Sequence, residues 1–173
     1  AQGLPLSRKQ EDIAPRGWAI ECRICAEEPE TFIPSSGTIH ALREPSGPFV
    51  RVDSGIRALQ EISSYYDSLL SKLIVWGENR EKAIQRMRRA LKDYYIVGVQ
   101  TNIPFHLRML EHPRFLKGDI SIHFIQEEQA YLTTPSQKHE NLAHILTAAL
   151  EMERQQSMIP QYPHVSRWNS PHF

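Results

Sequence analysis

Glu21 and Arg23 are the residues whose types and spacing most suggest chemistry. They lie two apart in the run WAIECRICA, so in a strand both side chains leave the same face. An arginine held beside a carboxylate on a rigid strand suits anion binding, because its planar fork is set before the anion arrives. The plainer alternative is a surface ion pair contributing at most about 1 kcal/mol, and the residues by themselves favour it. Cys22 and Cys25, which surround Arg23, have the C-x-x-C spacing of redox and zinc sites. Here the pair sits inside a strand-like run, where residues three apart face opposite ways. No second ligand pair follows to complete a tetrahedral site. Two reduced thiols and no metal site are therefore expected, as in a cytosolic type of compartment.

Other chemistries lack their motifs. Gly37, Gly47, Gly55, Gly77, Gly98 and Gly118 occur singly, so neither G-x-x-x-x-G-K-[ST] nor G-x-G-x-x-G is present. His106 and His112 are six apart and His139 and His144 five, which is not a metal-ligand pattern, and those on helices read as solvated. The basic run KAIQRMRRALK has no interleaved aromatics for stacking bases, and no G-x-S-x-G elbow occurs. The residues alone thus show no complete catalytic apparatus. Among 173 residues, 40% are hydrophobic and 23% charged, with twenty basic and twenty acidic side chains. This fits a globular chain and gives no electrostatic footprint for nucleic acid or an anionic membrane. No apolar run approaches the roughly 18 residues of a spanning helix. The first residues, AQGLPLSRKQEDI, show no signal pattern and no initiator Met, as expected of an excised piece.

The elements that must position these residues can be read from periodicity. Trp18 to Ala26 alternates, with Trp18, Ile20, Cys22 and Ile24 on one side and Ala19, Glu21, Arg23 and Cys25 on the other. A second strand is predicted over Thr38 to Leu42 and a third in FVRVDSGI, with Phe49, Arg51 and Asp53 opposite Val50 and Val52. DSLLSKLIVWG divides between a helical turn and a strand. Glu78 to Tyr95 reads as a helix with Ala83, Ile84, Met87, Ala90, Leu91 and Tyr94 on one face, capped by Asn79. Ile96 to Val99 is a strand or strand end, and Asn102 caps a helix over Ile103 to Glu111 with Pro104 in its first turn. His112–Pro113 ends that helix. Asp119 to Phe124 reads as a short final strand or extended piece. The expected class is α+β, a small mostly antiparallel sheet with packed helices and a C-terminal helical extension. Residues 1–12 form a connecting segment, 13–128 the domain and 129–140 a linker. Residues 141–173 hold a helix over Asn141 to Gln156 and an irregular tail, the expected start of a subunit-docking domain.

RGWAIECRICAEEP resembles the R-G-[HW]-A-[IV]-E-x-R-[IV]-x-A-E-[DN]-P signature that opens the C-terminal domain of biotin carboxylases. FIPSSGTI, VRVDSGI, YYDSLLSKLIVWGENREKAIQRMRRAL, VGVQTNIPF and RFLKGDISIHF follow in that family's order, together covering about residues 13 to 126. The resemblance implies carboxylation of the ureido nitrogen of carrier-bound biotin, with bicarbonate and MgATP as co-substrates and carboxyphosphate as intermediate. It implies that Arg23 is catalytic, stabilising the enolate form of biotin and holding anionic reactants. Glu21 would position it, and Ile122 would contact the adenine. Arg51 and Asp67 would serve a subunit contact or the structure itself. The chain departs from the pattern at Cys25 and at Pro48, and Pro48 lies near the dimer contact of bacterial members.

The family's glycine-rich lid, magnesium carboxylates and general base belong to an ATP-grasp half upstream. ATP, magnesium and biotin are therefore expected in the full enzyme and not on this stretch alone. The tail resembles acyl-CoA carboxylase α subunits of the propionyl-CoA kind. That implies two further partners, a biotin carrier domain and a carboxyltransferase β subunit. It also implies a cytoplasmic location, or the mitochondrial matrix in a eukaryote. A pyruvate carboxylase-type enzyme and a non-catalytic interaction or dimerisation module remain open.

Overall fold

The computed structural model describes residues 3–134. Its organising strand is β6 (Leu69–Gly77), which pairs antiparallel on one side with β1 (Trp18–Cys25) and on the other with β4 (Val50–Ser54). DSLLSKLIVWG thus forms no helical turn. Ser71, Leu73, Val75 and Gly77 are buried at every second position, the period of a strand. Neighbours on both edges also saturate its backbone, which a helical turn would leave unpaired. The β1–β6 register runs from Trp18↔Gly77 to Ile24↔Ser71 and then shifts, so that Cys25 faces Leu69.

One face of this sheet is covered by α1 (Arg80–Lys92). Ile84, Met87, Ala90 and Leu91 pack with Cys22, Ile24, Leu73 and Val75 in one core, which Tyr94 joins, and Ala83 is buried on the same helix. Asn79 caps the helix, its Oδ1 accepting from the Lys82 amide at 2.9 Å. The helix is shorter than its apolar period suggests because β7 (Tyr95–Val97) peels away to pair with β3 (Ala41–Arg43). The strand expected over Thr38 to Leu42 is likewise divided. β2 (Gly37–Thr38) pairs with β5 (Glu61–Ile62), β3 pairs with β7, and the fully buried Ile39 lies between.

Past β7, α2 (Ile103–Met109) is followed by three short helices: α3 (Pro113–Lys117), α4 (Phe124–Glu127) and α5 (Gln129–Thr133). Pro113 therefore opens a helix as well as closing one, and His112 caps it by accepting the Arg114 amide on Nδ1 at 3.2 Å. The final strand expected over Asp119 to Phe124 does not form. Ser121 turns the chain, its hydroxyl accepting the His123 amide and its carbonyl the Phe124 amide, and α4 begins. Residues 129–133, expected to begin a linker, are helical because Leu132 is fully buried against Phe105 and Phe124. The expected helix over Asn141 to Gln156 lies outside the described residues.

Candidate active site

The face of β1 turned away from α1 carries Glu21 and Arg23, both exposed. Across β6 and β4 the register sets Arg23, Lys72 and Asp53 in one row and Glu21, Ile74 and Arg51 in the next. Among the described residues Glu21 and Arg23 form no ion pair with each other or with a neighbour. The formal pair of this face is Arg51–Asp53, a two-pronged contact at 2.8 and 2.9 Å. The Arg51 guanidinium holds the Asp53 carboxyl below its usual range. Arg23 is thus presented as an unengaged guanidinium beside a second cation, Lys72.

Its backbone, in contrast, is tightly held. The Arg23 carbonyl accepts from Asn102 Nδ2 at 3.1 Å and from His106 Nε2 at 3.0 Å, the ring taken as the tautomer that donates there. Asn102 Oδ1 accepts the Cys25 amide at 3.0 Å, and the Asn102 amide donates to the Cys25 carbonyl at 3.2 Å. Asn102 still precedes α2, but its side chain makes no cap bond because both ends of the carboxamide are engaged on β1. His106, expected on a solvated face, is half-buried against β1. Burial lowers its imidazole pKa, partly opposed by the bond to Arg23 and by Glu27. The i, i+4 spacing of Asn102 and His106 places them on one side of the helix. That spacing was the signal available in the sequence.

The cysteines are free. Cys22 is buried in the core, and desolvation pushes its thiol up to about 12. Cys25 is half-buried and is also raised, chiefly by desolvation. At neutral pH neither is the thiolate that nucleophilic or redox chemistry needs. Asp67 Oδ1 accepts the Leu69 amide at 2.7 Å, starting β6, beside the exposed Tyr65 and Tyr66. Ile122 is 95% exposed in the turn before α4. Among the described residues no three His, Cys, Asp or Glu side chains gather to hold a metal ion.

Below Ile122, Arg114 joins Asp119, Glu127 and Glu128 at 3.1, 2.8 and 2.6 Å, and Glu128 also meets the buried His112 at 3.1 Å. This knot ties α3 to α4 and α5. Arg114 above all, helped by His112, holds the Glu128 carboxyl below its ordinary value. A depressed carboxyl pKa contributes stability above the unfolded value of about 4.3, and that contribution is lost as pH falls through the folded value. Glu128→Gln is accordingly expected to lower the thermal midpoint at pH 7, with the gap to wild type closing as the pH falls below about 4.3. A gap that stays constant as the pH falls would show the knot to be without effect.

Residues 21–127 match the biotin carboxylase C-terminal domain family. This chain belongs to that family. Biotin carboxylase 1 of Bacillus subtilis is 48% identical over 127 residues, covering 73% of the chain and 28% of the relative. The mitochondrial propionyl-CoA carboxylase alpha chain of Rattus norvegicus is 44% identical over 151 residues, covering 83% of the chain and 20% of the relative. Among solved structures, the biotin carboxylase domain dimer of Hydrogenobacter thermophilus 2-oxoglutarate carboxylase superposes with a TM-score of 0.73. It is 40% identical, the match covers 78% of this chain and 30% of that one, and it holds MgADP, ADP and bicarbonate. The chain spans less than a third of the length of these biotin carboxylase relatives.

Proposed function

We propose that this chain is the C-terminal part of the biotin carboxylase of an acyl-CoA carboxylase α subunit of the propionyl-CoA kind. The observation that supports the subtype is that the likeness reaches 151 residues with the rat and human propionyl-CoA carboxylase alpha chains, although it spans 130 with the mouse chain and 138 with a Populus biotin carboxylase. It extends over 127 with the Bacillus biotin carboxylase. In this reading Arg23 is the catalytic residue. Its guanidinium is exposed, permanently charged and fixed at the backbone, which suits it to hold an anionic reactant or a developing oxyanion. Glu21, on the same face, orients it once the other reactants are present. Ile122 offers an apolar, solvent-facing side chain of the sort that covers an adenine. Arg51 and Asp67 serve a subunit contact or the sheet itself.

Magnesium fits less well on this stretch, since no carboxylate group of the required kind gathers among the described residues; its ligands belong to the ATP-grasp half. When bound, magnesium neutralises phosphate charge and biotin supplies the nitrogen that carries the carboxyl group. The partners are that ATP-grasp half, a biotin carrier domain and a carboxyltransferase β subunit, in the cytoplasm or, in a eukaryote, the mitochondrial matrix. A pyruvate carboxylase-type enzyme is the second reading, favoured by 50% identity over 128 residues to a pyruvate carboxylase component of Methanothermobacter thermautotrophicus.

The test uses the full-length chain with its carrier and its carboxyltransferase partner. It measures bicarbonate-dependent carboxylation of propionyl-CoA and of pyruvate. Turnover of propionyl-CoA is expected, with no ATP cleavage by residues 1–173 alone. Turnover of pyruvate instead would decide for the second reading. The absence of any bicarbonate-dependent ATP cleavage by the full chain would leave an interaction module.

A further inference from the structure

In the sheet order β1-β6-β4, β1 is an edge strand. The carbonyl of Arg23 and the amide of Cys25, two residues on, point to the same outer edge, where a further strand would normally satisfy both. No strand is there among the described residues. The Asn102 carboxamide takes its place, donating to the Arg23 carbonyl and accepting from the Cys25 amide at 3.1 and 3.0 Å. His106 fills the second lone pair of that carbonyl at 3.0 Å. These bonds close on the point where the β1–β6 register shifts, between Ile24 and Cys25, and where pairing with β6 alone least defines the strand. The peptide plane that sets the Arg23 Cα–Cβ direction is therefore held from Asn102 and α2 as well as from its own sheet.

We propose that Asn102 and His106 are positioning residues, which act on turnover by holding the backbone of Arg23 so that its guanidinium stays aimed at the reacting anion. The inference rests on the catalytic reading of Arg23 given above. A long side chain amplifies a small tilt at its Cα, and displacing a catalytic group by about 1 Å can cost on the order of 100-fold in rate. A strand end that retains one of its two clamps shifts by less than that.

The experiment compares full-length enzyme carrying His106→Leu, His106→Gln, Asn102→Asp, Arg23→Ala and the doubles with Arg23→Ala. Free biotin serves as acceptor, and kcat, the ATP KM and the thermal midpoint are read for each. His106→Leu removes the donor, and a fall in kcat of about tenfold is expected, with ATP KM and thermal midpoint unchanged. His106→Gln keeps a donor and is expected to restore turnover to within about twofold. Asn102→Asp retains the acceptor for Cys25 but loses the donor to Arg23, and is expected to follow His106→Leu. It provides the same reading should His106→Leu not fold. In the Arg23→Ala background neither substitution is expected to matter, because there is no guanidinium left to aim. An undiminished loss in that background, or a Gln variant no better than Leu, overturns the inference alone. Wild-type turnover in Arg23→Ala overturns the catalytic reading and this inference with it.

Discussion

Replacing Arg23 by Ala is expected to lower bicarbonate- and biotin-dependent turnover of the full-length enzyme by about 10²- to 10³-fold, the loss typical of one preorganised oxyanion donor. The thermal midpoint should not move. The side chain is exposed and makes no ion pair or side-chain hydrogen bond among the described residues, so its removal opens no cavity and leaves no group unsatisfied. The hydrogen bonds at this position run through the backbone carbonyl, which Ala retains. A large kinetic effect without a stability effect separates a group that acts on a ligand from one that holds the fold. Arg23→Lys sharpens the test, because it keeps the charge and loses the planar fork. If charge alone matters Lys recovers most of the rate, whereas if a two-point contact matters it recovers little. The loss should not vary between pH 6 and 8, since a guanidinium stays protonated throughout. Turnover within about twofold of wild type in Arg23→Ala would remove the catalytic role.

Much of the frame around Arg23 is legible in the sequence because it is written in periods. The alternation from Trp18 to Cys25 sets Glu21 and Arg23 on the outer face and Cys22 and Ile24 in the core. The apolar spacing from Ala83 to Tyr94 likewise anticipates the buried side of α1. Misreadings occur where a local signal competes with a distant partner. Asn102 has the type and place of an N-cap, yet two backbone groups of β1, far away in sequence, engage its side chain more completely than its own helix does. His106 has the spacing of a solvated helix residue until the edge of β1 is known to need a donor. Asp119 to Phe124 carries strand-forming Ile120 and Ile122, but Ser121 supplies a turn and Arg114 gathers the flanking carboxylates. Leu132 lies in a polar stretch that reads as a linker, and only the apolar surface of Phe105 and Phe124 explains a helix there. The other half of the proposed site is not legible at all, because the match covers only 28% of the length of the Bacillus relative.

Gly98→Ala is expected to be the most damaging single-methyl change in the domain, at about 3 kcal/mol or more and on the order of 10 °C in thermal midpoint. Gly98 follows β7 with φ +115°, a conformation side chains rarely adopt, and a Cβ placed there would lie 1.9 Å from the Thr38 carbonyl oxygen. The obstacle is backbone, so no rotamer change relieves it. The Thr38 peptide is itself held by the pairing of β2 with β5, and the neighbouring His40 amide donates to the Val97 carbonyl at 2.7 Å. Room can be made only by parting β2 from the segment that follows β7. Gly47→Ala is the control. Its φ of +133° carries similar backbone strain, but its nearest neighbour is the tip of Arg89 at 3.7 Å, so a loss of only about 1–2 kcal/mol is expected. The excess at Gly98 then measures the steric contact. Because the displaced segment runs directly into Asn102, whose carboxamide holds β1, any folded Gly98→Ala enzyme should also lose turnover beyond what its stability explains. A Gly98→Ala protein no less stable than Gly47→Ala would refute the close approach of the two backbones, and with it the route by which β7 delivers Asn102 to Arg23.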